Sequence, residues 1–171
     1  MKGIADTALG YKGKTRRELG LKCEETCAEF VSKVLVECGY SESSVSCNEL
    51  FKQMKANPVR WSEPEDWMKK DDVIFFEWDG TMKDAKPLDH VGIVCSVDDT
   101  SVYYVNINGN DHDRVTVQSM KKNSKNIAYW LRPLNSPEKQ DSSGADIDQI
   151  VVRFTDGSEK VYRESGRTGE K

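Results

Sequence analysis

The spacing of apolar positions changes partway along the chain, from a helical period to short runs suited to strands. Ile4, Ala5 and Ala8, ahead of Gly10, predict a short N-terminal helix. Residues 11–22 are polar and basic and read as a loop. Phe30, Val31, Val34, Leu35 and Cys38 then share one helical stripe, which Gly39 stops. Thr26 followed by Glu29 predicts a capping box at the start of that helix. Ser46 and Glu49 repeat the pattern ahead of Leu50, Phe51 and Met54, and Pro58 closes the third helix.

From residue 72 onward the pattern is that of strands. Residues 72–78 read as a buried strand, and residues 90–97 and 101–107 as a pair joined across Asp98-Asp99-Thr100. Residues 114–117 and 127–132 complete an antiparallel sheet. Helices first and strands afterwards predict an α+β fold, N-terminal helices packed on an antiparallel β-sheet, over residues 1–135. Residues 136–147, with Pro137 and Ser142-Ser143-Gly144, read as a linker. Residues 148–171 read as a β-hairpin extension, turning at Asp156-Gly157, with a disordered tail. A lone hairpin is marginal in water, so docking on the domain itself, or contact with a protein or a wall polymer, is expected of it.

Composition narrows the function classes. The chain has 171 residues, 32% of them charged, and a net charge of −4. A nucleic-acid partner, which calls for a basic face, is not expected. No apolar run approaches the ~20 residues of a membrane span. Residues 1–6 carry no apolar signal region, so synthesis in the cytoplasm without a signal peptide is expected. The five cysteines are an odd count without a Cys-x-x-Cys pair, which argues against a complete disulfide framework and against structural zinc. No metal and no cofactor are expected.

The chemistry centres on Cys27 and His90. If Thr26 is the N-cap, Cys27 is the first helical residue, where unpaired N–H groups and the helix dipole favour the thiolate. The bland alternative is a small buried hydrophobe. Cys38 and Cys95 read as core, Cys47 lies beside an N-cap without a strand histidine to partner it, and Cys23 is the rival nucleophile. His90 opens an apolar strand and shares a face with Gly92, which leaves space beside the ring for a helix or substrate. The bland alternative is a histidine facing water at a strand edge. His112, in a polar turn, reads as exposed and idle. An imidazole serving a thiol needs a group to orient it. Asn106 and Asn108 lie at alternate positions of the next strand and Asn110 follows, although Asn-Gly-Asn-Asp is also good turn chemistry.

These residues together resemble the CHAP-domain amidohydrolases and peptidases, relatives of the NlpC-type enzymes in the papain-like group. Residues 5–11 (Ala-Asp-Thr-Ala-Leu-Gly-Tyr) are similar to the family's opening helix. Cys27-Ala28-Glu29-Phe30-Val31 matches its nucleophile motif. Residues 72–80 and Asp89-His90-Val91-Gly92-Ile93-Val94 match its strand-loop-strand block. Asn106-Ile107-Asn108-Gly109-Asn110, with Arg114-Val115 and Arg132-Pro133 beyond, matches its closing block.

The resemblance spans roughly residues 4–134 and implies a papain-like CHAP fold and peptidoglycan hydrolysis. It implies that Cys27 attacks the carbonyl carbon, His90 carries the proton and Asn108 orients His90. Tyr11, Thr26, Asn106 and Asn110 are then expected to contact substrate. Three departures stand out: Thr26 where the family often has Trp, Lys70-Asp71-Asp72 where it has Pro-Gly-Asp, and a neutral Asn108 where Glu is commoner. Residues 12–22 lack the Asp-rich pattern of calcium-binding members.

The implied activity is cleavage of a wall amide bond, as an N-acetylmuramoyl-L-alanine amidase or a stem or cross-bridge endopeptidase. An endolysin encoded by a bacteriophage and acting at the bacterial cell wall fits a chain without a signal. The alternatives are a thiol amidase or peptidase on another substrate, and a non-catalytic wall- or protein-binding module of the same fold.

Overall fold

The computed structural model describes residues 3–24, 26–78, 88–108 and 113–134 in full, and the backbone of 149–153 and 159–163. Three helices come first: α1 (Ile4–Leu9), α2 (Cys27–Glu37) and α3 (Cys47–Lys55). Six strands follow: β1 (Trp61–Ser62), β2 (Val73–Phe76), β3 (His90–Val97), β4 (Ser101–Asn106), β5 (Thr116–Lys121) and β6 (Ile127–Pro133). They form one antiparallel sheet in the order β1-β6-β2-β3-β4-β5. The fold is α+β, as the pattern predicts.

Alternation along the strands sorts two apolar layers. Val73, Phe75, Val91, Ile93, Val105 and Ile107 pack with Phe30, Val31, Val34 and Leu35 of α2 and Leu50 and Met54 of α3. The opposite face carries Ile74, Phe76, Val94, Val102 and Tyr104, covered by Met68 and Ile127. Both faces of the central strands are therefore buried, which explains their near-continuous apolar runs.

Three features escape the pattern. The connector between α3 and β2, which carries Trp61 and Trp67, contributes a strand, with Trp61 opposite Pro133 and Ser62 opposite Arg132. The strand expected at residues 114–117 instead runs Thr116–Lys121. The loop at 11–22 pairs with the chain ahead of β5, since Gly13 N–H donates to Val115 O and Val115 N–H to Lys14 O.

Lys70-Asp71-Asp72 has a structural reason for its departure from Pro-Gly-Asp. Asp71 has φ 77, the left-handed backbone that glycine adopts freely. Aspartate tolerates that region better than most side chains, and here its carboxylate accepts the Ala5 N–H at 2.7 Å in the first turn of α1. The next residue, Asp72, is fully buried at the entry to β2. It accepts from Arg132 Nε and Nη2, both at 2.9 Å, and from Lys69 N–H at 2.8 Å. Arg132 also donates to Trp67 O, so the pair ties the connector, β2 and β6 together.

By internal contacts the chain divides into two compact units, Met1–Glu138 and Lys139–Lys171. In the second unit, β7 (Gln149–Arg153) pairs antiparallel with β8 (Glu159–Arg163). The expected linker at 136–147, the turn at Asp156-Gly157 and the tail lie outside the described residues.

Burial pushes the Asp72 carboxyl above its ordinary value, and Arg132 opposes that shift. Replacing Arg132 with Met leaves the buried carboxylate without its cation, and urea denaturation at pH 7 should show a loss of ~3 kcal/mol. The penalty should shrink as pH falls through the raised pKa of Asp72, because the neutral acid needs no counter-charge.

Candidate active site

Residue 27 opens α2, yet its cap differs from the expected one. Thr26 has α-type backbone (φ −87, ψ −2) and its side chain makes no cap hydrogen bond. Its Oγ1 is buried without a partner, whereas the resemblance implied a substrate contact there. Glu29 does not reach back to Thr26 either. Its carboxylate accepts the Lys22 and Cys23 N–H groups, both at 3.0 Å, and so clamps the preceding loop onto the helix. The N-cap at Ser46 does form, accepting from Glu49 N–H.

The start of α2 meets the start of β3. Cys27 is 5% exposed and His90 is also 5% exposed, so the two side chains are turned inward. The thiol of Cys27 is pushed down to about 4 from an ordinary 9.0. The neighbouring Cys47 is the largest influence; burial opposes it, and the His90 imidazole and the Val91 N–H add to it. Cys23, Cys38 and Cys95 all move the other way, each chiefly through desolvation. A buried thiol normally stays protonated. At Cys27 the combined influence of Cys47, His90 and the Val91 N–H outweighs the burial.

Around His90 the environment is aromatic. Phe76 lies opposite it across the β2–β3 ladder, with ring centroids 5.8 Å apart. Trp78 stacks on Phe76 at 5.2 Å with an interplanar angle of 10°, and its centroid is 6.0 Å from His90. Trp78 is 46% exposed, so its ring forms the solvent side of this wall. Asp89 holds the wall in place by accepting the Trp78 N–H at 2.7 Å. Gly92 does not open a space for substrate: an added Cβ would lie 2.8 Å from the Tyr104 ring and 3.2 Å from Val105 O. The glycine is needed so that Tyr104 can pack beside the histidine strand.

The asparagines part company. Asn106 closes β4, is fully buried, and neither its Oδ1 nor its Nδ2 has a partner. Its Cβ is 3.6 Å from the position a Gly92 Cβ would take, two residues from His90 on the same strand face. His90 Nε2 is likewise buried without a partner. Asn108, expected to orient the histidine, has left the strand with φ 64 and donates from Nδ2 to Glu24 O at 2.7 Å. Its amide thus ties down the loop before α2.

Tyr11 is also placed elsewhere. Its hydroxyl donates to Glu37 at 2.6 Å, at the far end of α2 from Cys27, and that carboxylate pushes the phenol up to about 12. Asn110 and His112 lie outside the described residues. Among the described residues no group of three or more His, Cys, Asp and Glu is arranged to hold a metal ion.

Sequence reasoning missed Trp78 as a site residue and placed Cys47 beside an N-cap without its proximity to Cys27. Trp78 continues the strand parity of Phe76, which is a usable signal. Cys47 sits 20 positions from Cys27 on another helix, with its sulfur 3.5 Å away. The one hint is that both cysteines directly follow a Ser or Thr at a helix start.

A model of the CHAP domain family matches residues 18–110, more than half of the chain. Among solved structures, the crystal structure of Ly7917 aligns with 76% of this chain and 61% of its own, with TM-score 0.51 and 13% identity. This chain thus spans about three-fifths of that neighbour's length, and at this identity the likeness is one of fold. The crystal structure of Ly7917 with the hydrolyzing product of MDP aligns over 47% of this chain and 33% of its own, with TM-score 0.36 and 17% identity. No curated protein matches.

The depressed thiol gives a direct chemical readout. At pH 6 iodoacetamide should modify Cys27 ahead of Cys23, Cys38 and Cys95, because an ordinary thiol of pKa ~8.5 is then only ~0.3% ionised. Peptide-resolved mass spectrometry identifies the site. Equal labelling of the half-buried Cys23 would contradict the geometry.

Proposed function

This chain belongs to the CHAP domain family, and on that premise we propose that it is a cysteine-dependent peptidoglycan hydrolase acting on an amide bond at the bacterial cell wall. The observation that carries the reading is the Cys27 thiol, pushed down to about 4 at the start of α2 beside His90 and the Val91 N–H. Hydrolysis of an unactivated amide needs an anionic nucleophile, a proton carrier and stabilisation of the oxyanion. This site has a group suited to each.

Cys27 Sγ attacks the carbonyl carbon, and the oxygen becomes an oxyanion. The Cys27 N–H belongs to the first turn of α2, whose N–H groups have no carbonyl one turn earlier within the helix, so it is suited to receive that charge. His90 gives its proton to the departing amine, which leaves a thioester, and then takes a proton from the water that hydrolyses it. Because Nε2 is buried and unpartnered, Nδ1 is the nitrogen assigned to the sulfur. Asn106 is buried and unpartnered on the strand next to that of His90, and in this reading it takes the orienting role that the resemblance gave to Asn108. A neutral amide fixes the ring without adding a second negative charge near the thiolate.

Clearing of purified cell walls tests the assignment. Cys27→Ala and His90→Ala should each lower the rate by at least ~10³-fold. Asn106→Ala should lower it by ~10-fold or more, chiefly in kcat, whereas Asn108→Ala should leave kcat largely intact. Undiminished clearing by Cys27→Ala overturns the mechanism. Mass spectrometry of the released fragments separates a new amino group on alanine, the amidase product, from cleavage within the stem or cross-bridge.

A further inference from the structure

The mechanism leaves the buried thiol beside its nucleophile without a task. Cys47 is the first residue of α3 and 8% exposed, with its sulfur 3.5 Å from that of Cys27. Both are free thiols. Two sulfurs this close in the interior do not both ionise, since two like charges there repel strongly. One proton is therefore shared by the pair. It resides on Cys47, because His90 and the Val91 N–H face the Cys27 sulfur and stabilise the charge there.

The position of Cys47 is held from two sides. Ser32 of α2 donates from Oγ to Ser44 O and accepts the Ser44 N–H, both at 2.8 Å. Ser44 Oγ in turn accepts the N–H of Ser46, the cap of α3. Asn48, next to Cys47, accepts the Leu88 N–H at 3.0 Å, on the segment that leads into His90. The start of α3 is thus tied both to the helix of the nucleophile and to the strand of the histidine.

We infer that Cys47 is a positioning residue for the nucleophile: its S–H donates to Cys27 Sγ and holds that sulfur as an anion aimed along β3. No oxidation is involved, and the thiol keeps its proton throughout the reaction. The role rests on the proposed nucleophile, but it concerns the free protein and is measurable without substrate.

The test is the pH dependence of Cys27 alkylation by iodoacetamide under reducing conditions, read by peptide mass spectrometry for four proteins. These are the wild type, Cys47→Ala, Cys47→Val and Cys47→Ser. Val fills similar space without a donor, so it replaces Ala in the comparison if Ala fails to fold. Ala and Val should move the midpoint upward by about one pH unit or more, lowering labelling on the acid limb ~10-fold. Ser, which keeps an O–H donor, should restore most of the acid limb. An unchanged midpoint in a folded Ala or Val variant overturns the inference, as does a Ser profile identical to theirs. Wild-type Cys27 that labels only above pH 8 overturns both this role and the nucleophile assignment. Acid-limb labelling that depends on Cys47, in a protein that fails to clear walls, counts against the proposed function alone.

Discussion

A sulfur anion buried away from water is stable only where hydrogen-bond donors and positive charge converge on it. In this protein the converging groups come from three separate chain segments: the start of α2, the start of β3 and the start of α3. No one of them suffices. Burial is the chief influence pushing Cys38 and Cys95 upward, while Cys27, more deeply buried, moves down because Cys47, His90 and Val91 reach it. The fold can be understood as the scaffold that makes these three ends coincide.

The scaffold works through specific ties. The buried Asp72–Arg132 pair fixes the entry of β2 to β6, and β2 places Phe76 opposite His90. Asp89 joins Trp78 to the lead-in of β3, and Asn48 joins α3 to the same lead-in. Such pairs contribute little net stability because desolvation offsets most of their attraction. Their value is geometric, since each removes a degree of freedom around the thiol. Buried polar atoms without partners include those of Thr26, His90 and Asn106, as well as those of Glu42, Trp61, Thr116, Gln118 and Trp130 elsewhere in the fold. Unsatisfied buried polar groups are costly, and the first three belong to the segments that carry the candidate site.

Departures from the family pattern are matched by compensating contacts. Asp71 adopts a backbone suited to glycine, and its carboxylate repays part of that strain by accepting the Ala5 N–H. Trp78 supplies an exposed aromatic wall over the histidine. The Ly7917 likeness, at 13% identity, shows how far side chains diverge while this arrangement of helices and strands persists.

What could be read from the sequence was whatever depends on near neighbours. Helical stripes, the stop at Gly39, the β3–β4 pair and the polar cap at Ser46 follow from periodicity and turn chemistry over a few residues, so the α+β class and its helices were legible. Cys27 and His90 stood out for the same reason, as a thiol at a helix start and an imidazole at a strand start. The approach of Cys47 to Cys27, the pairing of Trp61 with Pro133, the withdrawal of Glu29 to the Lys22 and Cys23 amides and the different placements of Asn106 and Asn108 were not legible. Each is decided by where distant segments meet. A left-handed turn at Asn108 sends its amide to Glu24 and leaves Asn106 as the buried residue. Local energies specify elements, but only packing among them determines which polar atom finds a partner and which is left to act.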